Sequence, residues 1–214
     1  VFREILASEP SDEEALALWM GTDQEVWIDL LVKGGEFELI QKAMFERVNR
    51  GRAEREADVD VIRPLVDTVV NAEDALDRRM AISQIARDHG EYAAPLLVNF
   101  LRGSSDDERR INALHAIQTI GPDLVLPLIE SLRSDDPVLR RSVAAALGNI
   151  GDARAGAALS AVAAGDEDDT VRLIAAEARD AVGGGLDPVA DYLQQGADYR
   201  NRNESVLRSY QYSD

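Results

Sequence analysis

Residues 135–182 read DDPVLRRSVAAALGNIGDARAGAALSAVAAGDEDDTVRLIAAEARDAV. Apolar residues fall at Val143, Ala146, Leu147 and Ile150, and again at Ala175, Ala178 and Val182. This is the single stripe of a helix with about 3.6 residues per turn. Each run opens just after an Asp-rich turn (Asp135 and Asp136; Asp166, Asp168 and Asp169) and stops at a glycine, Gly151 or Gly183. Glycine ends a helix at little cost because it accepts the left-handed backbone just past the last turn. Between the two runs, RAGAALSAVA (154–163) is a further short helix, so the chain is read as helix, turn, helix, repeated.

The unit recurs on both sides. VIRPLVDTVV (61–70), EYAAPLLVNFL (91–101), LVLPLIESL (124–132), RAGAALSAVA and LDPVADYLQQ (186–195) share the column Pro64, Pro95, Pro127, Ala157 and Pro188, at steps of 31, 32, 30 and 31 residues. Beside it run Leu65, Leu96, Leu128, Ala158 and Val189, then Val69, Phe100, Leu132, Val162 and Leu193. The second helices close at Gly90, Gly121, Gly151 and Gly183; eleven residues before each stands an arginine, Arg79, Arg110, Arg140 and Arg172. A period in this range marks a repeat architecture in which each hairpin covers the apolar face of its neighbour. The expected fold is an all-α solenoid of stacked antiparallel helix pairs. The arginine column beside acidic turns is expected to be a structural ladder between repeats.

The quoted run resembles the bacterial HEAT-like repeats first associated with phycobilin lyases. The resemblance covers residues 58 to about 214 and implies paired helices wound into a right-handed superhelix, with Asp and Arg ladders between repeats. It carries little about function, because such arrays serve many ends.

Repeats are expected over about 58–90, 91–121, 122–151 and 152–184, with a partial one over 185–214. Ser205-Val206-Leu207-Arg208 echoes Pro137-Val138-Leu139-Arg140 and puts Arg208 in the arginine column. An open end of a stack leaves an apolar face uncovered, so a cap, an oligomer contact or further repeats are expected there. Residues 1–57 lack the proline and arginine columns and read as an N-terminal helical cap or diverged repeat. Helices are expected there at 11–21, 23–33 and 35–50, with the polar NRGRAEREADVD (49–60) as a connection. Capping boxes are expected at Ser11-x-x-Glu14, Thr22-x-x-Glu25 and Ser105-x-x-Glu108.

Composition narrows the function. The net charge of −17, from 40 acidic and 23 basic residues, would repel a polyanion, so nucleic acid is not expected as a ligand, and a DNA-glycosylase form of the fold fails on charge. Of the basic residues only Lys33 and Lys42 are lysines, which fits either a salt-rich cytoplasm or an Ala- and Arg-rich genome. The chain has no Cys, so disulfides and thiolate chemistry are excluded. No run approaches the roughly 20 apolar residues of a membrane span, and a cytoplasmic protein is expected. No phosphate loop, nucleophile elbow or zinc-binding helix motif occurs, and Gly183-Gly184-Gly185 follows a helix instead of opening one. No catalytic residue, metal or cofactor is assigned. His89 falls in the apolar column before Gly90, and His115 opposes the stripe.

The opposite side of the second helices offers Gln84, Arg87, His115, Gln118, Arg141, Glu177 and Asp180, which pass from basic and amide-bearing to acidic along the stack. Aromatics gather at the ends: Phe2, Trp19, Trp27, Phe37 and Phe45, then Tyr192, Tyr199, Tyr210 and Tyr212. They close cores or contact partners. The function expected is a non-enzymatic scaffold or adaptor presenting a concave surface to another protein. The rival is a bilin lyase-like factor acting on a phycobiliprotein chromophore, which the resemblance alone implies.

Overall fold

The computed structural model describes residues 10–102, 106–203 and 206, and every regular element among them is helical. The chain divides into two compact units, Val1–Asp58 and Val59–Asp214.

The first unit holds α1 (Asp12–Gly21), α2 (Gln24–Lys33) and α3 (Glu36–Glu56). At α1 the capping box is complete: the Glu14 amide donates to Ser11 Oγ at 3.1 Å and the Ser11 amide to Glu14 Oε2 at 2.9 Å. The box expected at Thr22 does not form. Its hydroxyl turns back to donate to the Leu18 carbonyl at 2.7 Å, and Asp23 accepts from the Glu25 amide instead. Ala15, Leu16, Trp27, Leu30, Met44 and Val48 make the core, with Trp19 stacked on Trp27 at 4.7 Å and Phe45 edge-on to Trp19 at 5.6 Å. Phe2, Tyr210 and Tyr212 lie outside the described residues.

The expected connection over 49–60 is mostly helix: α3 runs to Glu56, and α4 begins at Val59. Arg, Ala and Glu are good helix formers whatever their polarity. Arg50 holds α3 to α1 through paired bonds to Asp12, Nε to Oδ2 at 2.7 Å and Nη2 to Oδ1 at 2.9 Å. Gly51 faces the Asp12 carbonyl so closely that a Cβ would collide with it.

The second unit is a two-layer stack. One layer consists of first helices α4 (Val59–Asn71), α6 (Ala94–Asn99), α8 (Val125–Ser131), α10 (Gly156–Gly165) and α12 (Pro188–Arg200). The other consists of second helices α5 (Ala75–Asp88), α7 (Asp107–Ile120), α9 (Pro137–Ile150) and α11 (Asp169–Val182). Within this layer α5 packs on α7, α7 on α9, and α9 on α11. Single 3₁₀ turns, Gly90–Ala93, Gly121–Leu124 and Ala153–Ala155, lead into α6, α8 and α10.

The two layers share one aliphatic core, in which Val69, Leu97, Ile117, Leu128, Leu147 and Leu159 are fully covered. Small side chains let the helices close up. A Cβ placed on Gly148 of α9 would lie 2.8 Å from Ala178 Cα of α11. At the last helix the columns run out of neighbours, and Val189 and Leu193 of α12 are 69% and 71% exposed. Ser205 and Arg208 lie outside the described residues. No helix among those described is long and apolar enough to cross a membrane.

Candidate partner-binding face

Each second helix is fourteen residues long and starts at an aspartate whose carboxylate accepts from first-turn amides. Asp74 takes the Leu76 amide, Asp106 that of Arg109, Asp136 that of Val138, and Asp168 those of Thr170 and Val171. An aspartate suits this position because it satisfies a free donor and meets the positive end of the helix dipole. In α7 the cap is therefore Asp106; Ser105, expected to fill that role, lies outside the described residues.

Counting forward from the caps corrects the arginine column. Four residues on stand Arg78, Arg110, Arg140 and Arg172. Arg140 Nη1 donates to the Ser134 carbonyl at 2.8 Å and Arg172 Nη1 to that of Asp166 at 2.6 Å, each six residues back. Arg78 makes the same bond to Ala72. Arg79, which was expected in this column, is exposed. The physical reason is one extra residue between the end of α5 and its turn glycine. His89, buried and at φ −131°, takes the C-cap there and pushes the turn glycine on to Gly90, whereas Gly121, Gly151 and Gly183 are themselves the C-caps.

Among the described residues, one arginine of the four bridges to the next pair. Arg140 grips Asp166 with Nε and Nη2, both at 2.7 Å. The guanidinium holds the Asp166 carboxyl below its ordinary value, and Asp166 raises Arg140 in turn. Arg110 and Arg172 instead pair within their own helices, with Asp107 and Asp169. The preceding turn has Ser134 where Asp166 stands, so Arg110 finds no carboxylate at that place.

All seven residues expected opposite the buried stripe of the second helices, Gln84, Arg87, His115, Gln118, Arg141, Glu177 and Asp180, are exposed. Arg87 is engaged by Asp88, and Asp180 by Arg179. The face also carries aliphatic side chains that the polar reading passed over. Ile111 is 62% exposed and Leu173 59%, with Met80 and Leu76 open on α5. Five residues past the caps, the four helices present Arg79, Ile111, Arg141 and Leu173 as one row. The signal was present in the sequence as apolar residues opposite the buried stripe, where a merely solvated face carries polar ones.

Among the described residues no group of three or more His, Asp or Glu side chains is placed to hold a metal ion. A groove between the turns is lined by Leu132, Pro137, Arg140, Asp166 and Asp168, and the Arg140–Asp166 pair lies within it.

No curated protein matches this chain. Residues 94–180 match the family model described as HEAT repeats, the stretch from α6 nearly to the end of α11, and the fold of the chain is an all-α solenoid of HEAT-like helix pairs.

Proposed function

We propose that this protein is a non-enzymatic interaction module, a scaffold or adaptor that presents a concave surface, formed by the side of its second helices opposite the buried stripe, to another protein. The observation that carries the reading is the row of exposed Ile111 and Leu173 interleaved with Arg79 and Arg141 on four helices held in one register. We read these two aliphatic side chains and the arginines beside them as one contact surface, since exposed apolar area rimmed by polar residues marks such sites. HEAT repeats commonly serve such roles, which supports the reading. The charge of −17 speaks for a protein partner over a nucleic acid.

The experiment compares capture from native lysate by the wild-type chain and by an Ile111→Asp, Leu173→Asp variant with unchanged helical circular dichroism. A protein retained by the first and lost by the second is the expected result. Identical capture by both, or turnover of a small molecule with no bound protein, overturns the proposal.

A further inference from the structure

The same row has a charge pattern that constrains the partner. In a chain with an excess of seventeen negative charges, Arg79 and Arg141 are exposed cations that form no ion pair among the described residues. Arginines elsewhere on the second helices are engaged, as Arg87 is by Asp88, Arg110 by Asp107 and Arg140 by Asp166. The two free guanidiniums alternate with two exposed aliphatics: Arg79, Ile111, Arg141, Leu173. At the far end Glu177 stands one turn beyond Leu173 on α11 and repels a further acid there.

Packed helices lie about 8–10 Å apart, so neighbouring members of the row are separated by roughly that distance. The contact of Gly148 with Ala178 puts α9 and α11 at the short end of the range. A polyproline-type strand advances about 9.3 Å in three residues and returns every third side chain to the same side. An α-helix needs seven residues and about 10.5 Å to do the same. Resting on the reading of this face as a protein-binding surface, we infer that its occupant is an extended acidic segment. It carries carboxylate and aliphatic side chains alternately at every third position, the carboxylates on Arg79 and Arg141 and the aliphatics on Ile111 and Leu173.

Guanidinium and carboxylate pair bidentately, which fixes the register of the segment. The aliphatic contacts exclude water around those pairs and strengthen them. The chain's overall negative charge opposes approach. At about 0.15 M salt that repulsion is screened beyond roughly 8 Å, while the touching pairs are little affected.

The probe is a fluorescein-labelled peptide of two Glu-Pro-Ser-Leu-Pro-Ser units, followed by anisotropy at physiological salt against the full chain. Binding by the wild type, about tenfold weaker for Arg79→Glu with Arg141→Glu and for Ile111→Ser with Leu173→Ser, is the expected result. Equal binding of a scrambled peptide, or of one with Lys for Glu, overturns it, as does unchanged affinity in both variants. All of these side chains are exposed, and a thermal melt of each variant verifies that the fold is kept. Failure of the peptide to bind while Ile111→Asp, Leu173→Asp still abolishes protein capture overturns the acidic segment alone. Loss of neither capture nor peptide binding in the variants removes the face itself.

Discussion

Arg140 and Asp166 tie the second helix of one pair to the turn of the next through two parallel bonds, Nε to Oδ2 and Nη2 to Oδ1, both 2.7 Å. The side chains are only 14% and 6% exposed, so the pair is poorly screened by solvent. Asp166 Oδ1 also accepts the Asp168 amide at 2.9 Å, which orders the turn that caps α11.

The pH dependence follows from the sign of the shift. The hydrogen bond from Arg140 lowers the Asp166 carboxyl, helped by the backbone bond from Asp168 and by the charges of Arg140 and Arg172, against an opposing effect of burial. A folded value below the unfolded one, about 3.9, means the stabilisation is fully present above that pH and is lost as pH falls through the folded value. Thermal melts from neutral to acid pH are expected to drop more steeply below about pH 4 for the wild type than for Asp166→Asn. At neutral pH that variant is expected to lose about 3 kcal/mol, since it leaves Arg140 largely buried without its counter-charge. Parallel acid limbs for the two proteins would contradict this.

The register of the arginine column predicts a contrast between neighbours. Arg78→Ala removes donors to the Ala72 and Glu73 carbonyls and is expected to cost about 1.5–3 kcal/mol in urea unfolding. Arg79→Ala, on an exposed side chain, is expected to change stability by less than about 0.5 kcal/mol. The reverse order would restore the register counted from the glycine.

Leu147 is fully covered in the shared core, and His115 is exposed on the other side of its layer. Leu147→Ala is expected to cost about 2–5 kcal/mol through the cavity it leaves. His115→Ala is expected to stay within about 0.5 kcal/mol, as measured by denaturant midpoints.

What was legible in the sequence, and what was not, follows from which signals are local. Gly121, Gly151 and Gly183 mark true helix ends because a positive φ is a backbone demand that few other residues meet. Gly90 misleads by one position because His89 absorbs the cap, which no residue count discloses. The stretch 49–60 looked like a linker by polarity, yet its cohesion comes from Asp12, 38 residues away from Arg50 in sequence. On the candidate face, Gln84, Arg87, His115, Gln118, Arg141, Glu177 and Asp180 were found by their polarity. That filter discards Ile111 and Leu173, whose meaning depends on the alignment of four separate helices.

Two helix-interior glycines are expected to respond to alanine with opposite signs. At Gly196 of α12 an added Cβ meets open space, so Gly196→Ala is expected to stabilise by about 0.4–1 kcal/mol through lost freedom in the unfolded chain. At Gly148 the same methyl would press on Ala178 from 2.8 Å, against backbone that cannot swing aside. Overpacking of about 1–3 kcal/mol exceeds the propensity gain, so Gly148→Ala is expected to lower the melting midpoint. A rise in both would mean that α9 and α11 are further apart than the geometry gives.

Among the described residues Arg154 is the largest fully buried side chain, only 1% exposed, and it joins three successive pairs. Its Nη2 donates to the Pro122 carbonyl at 2.6 Å and to Asp152 Oδ2 at 2.8 Å, and its Nε donates to Asp152 Oδ1 at 2.9 Å. Its own carbonyl accepts from Gln195 Nε2 of α12 at 2.7 Å. A charge so placed is tolerated only while its counter-ion stays, because desolvation costs several kcal/mol that the partner offsets. Asp152→Ala removes the carboxylate that Arg154 grips with Nε and Nη2 and also the acceptor of the Arg154 amide, so a loss of about 3–5 kcal/mol is expected. The double change Asp152→Ala with Arg154→Met removes the buried charge as well and keeps most of the volume, and it is expected to recover a substantial part of that loss. Urea unfolding of the single and double variants decides the matter. A double variant no more stable than Asp152→Ala would mean that the bond to the Pro122 carbonyl, and not the balance of charge, is what the buried arginine supplies.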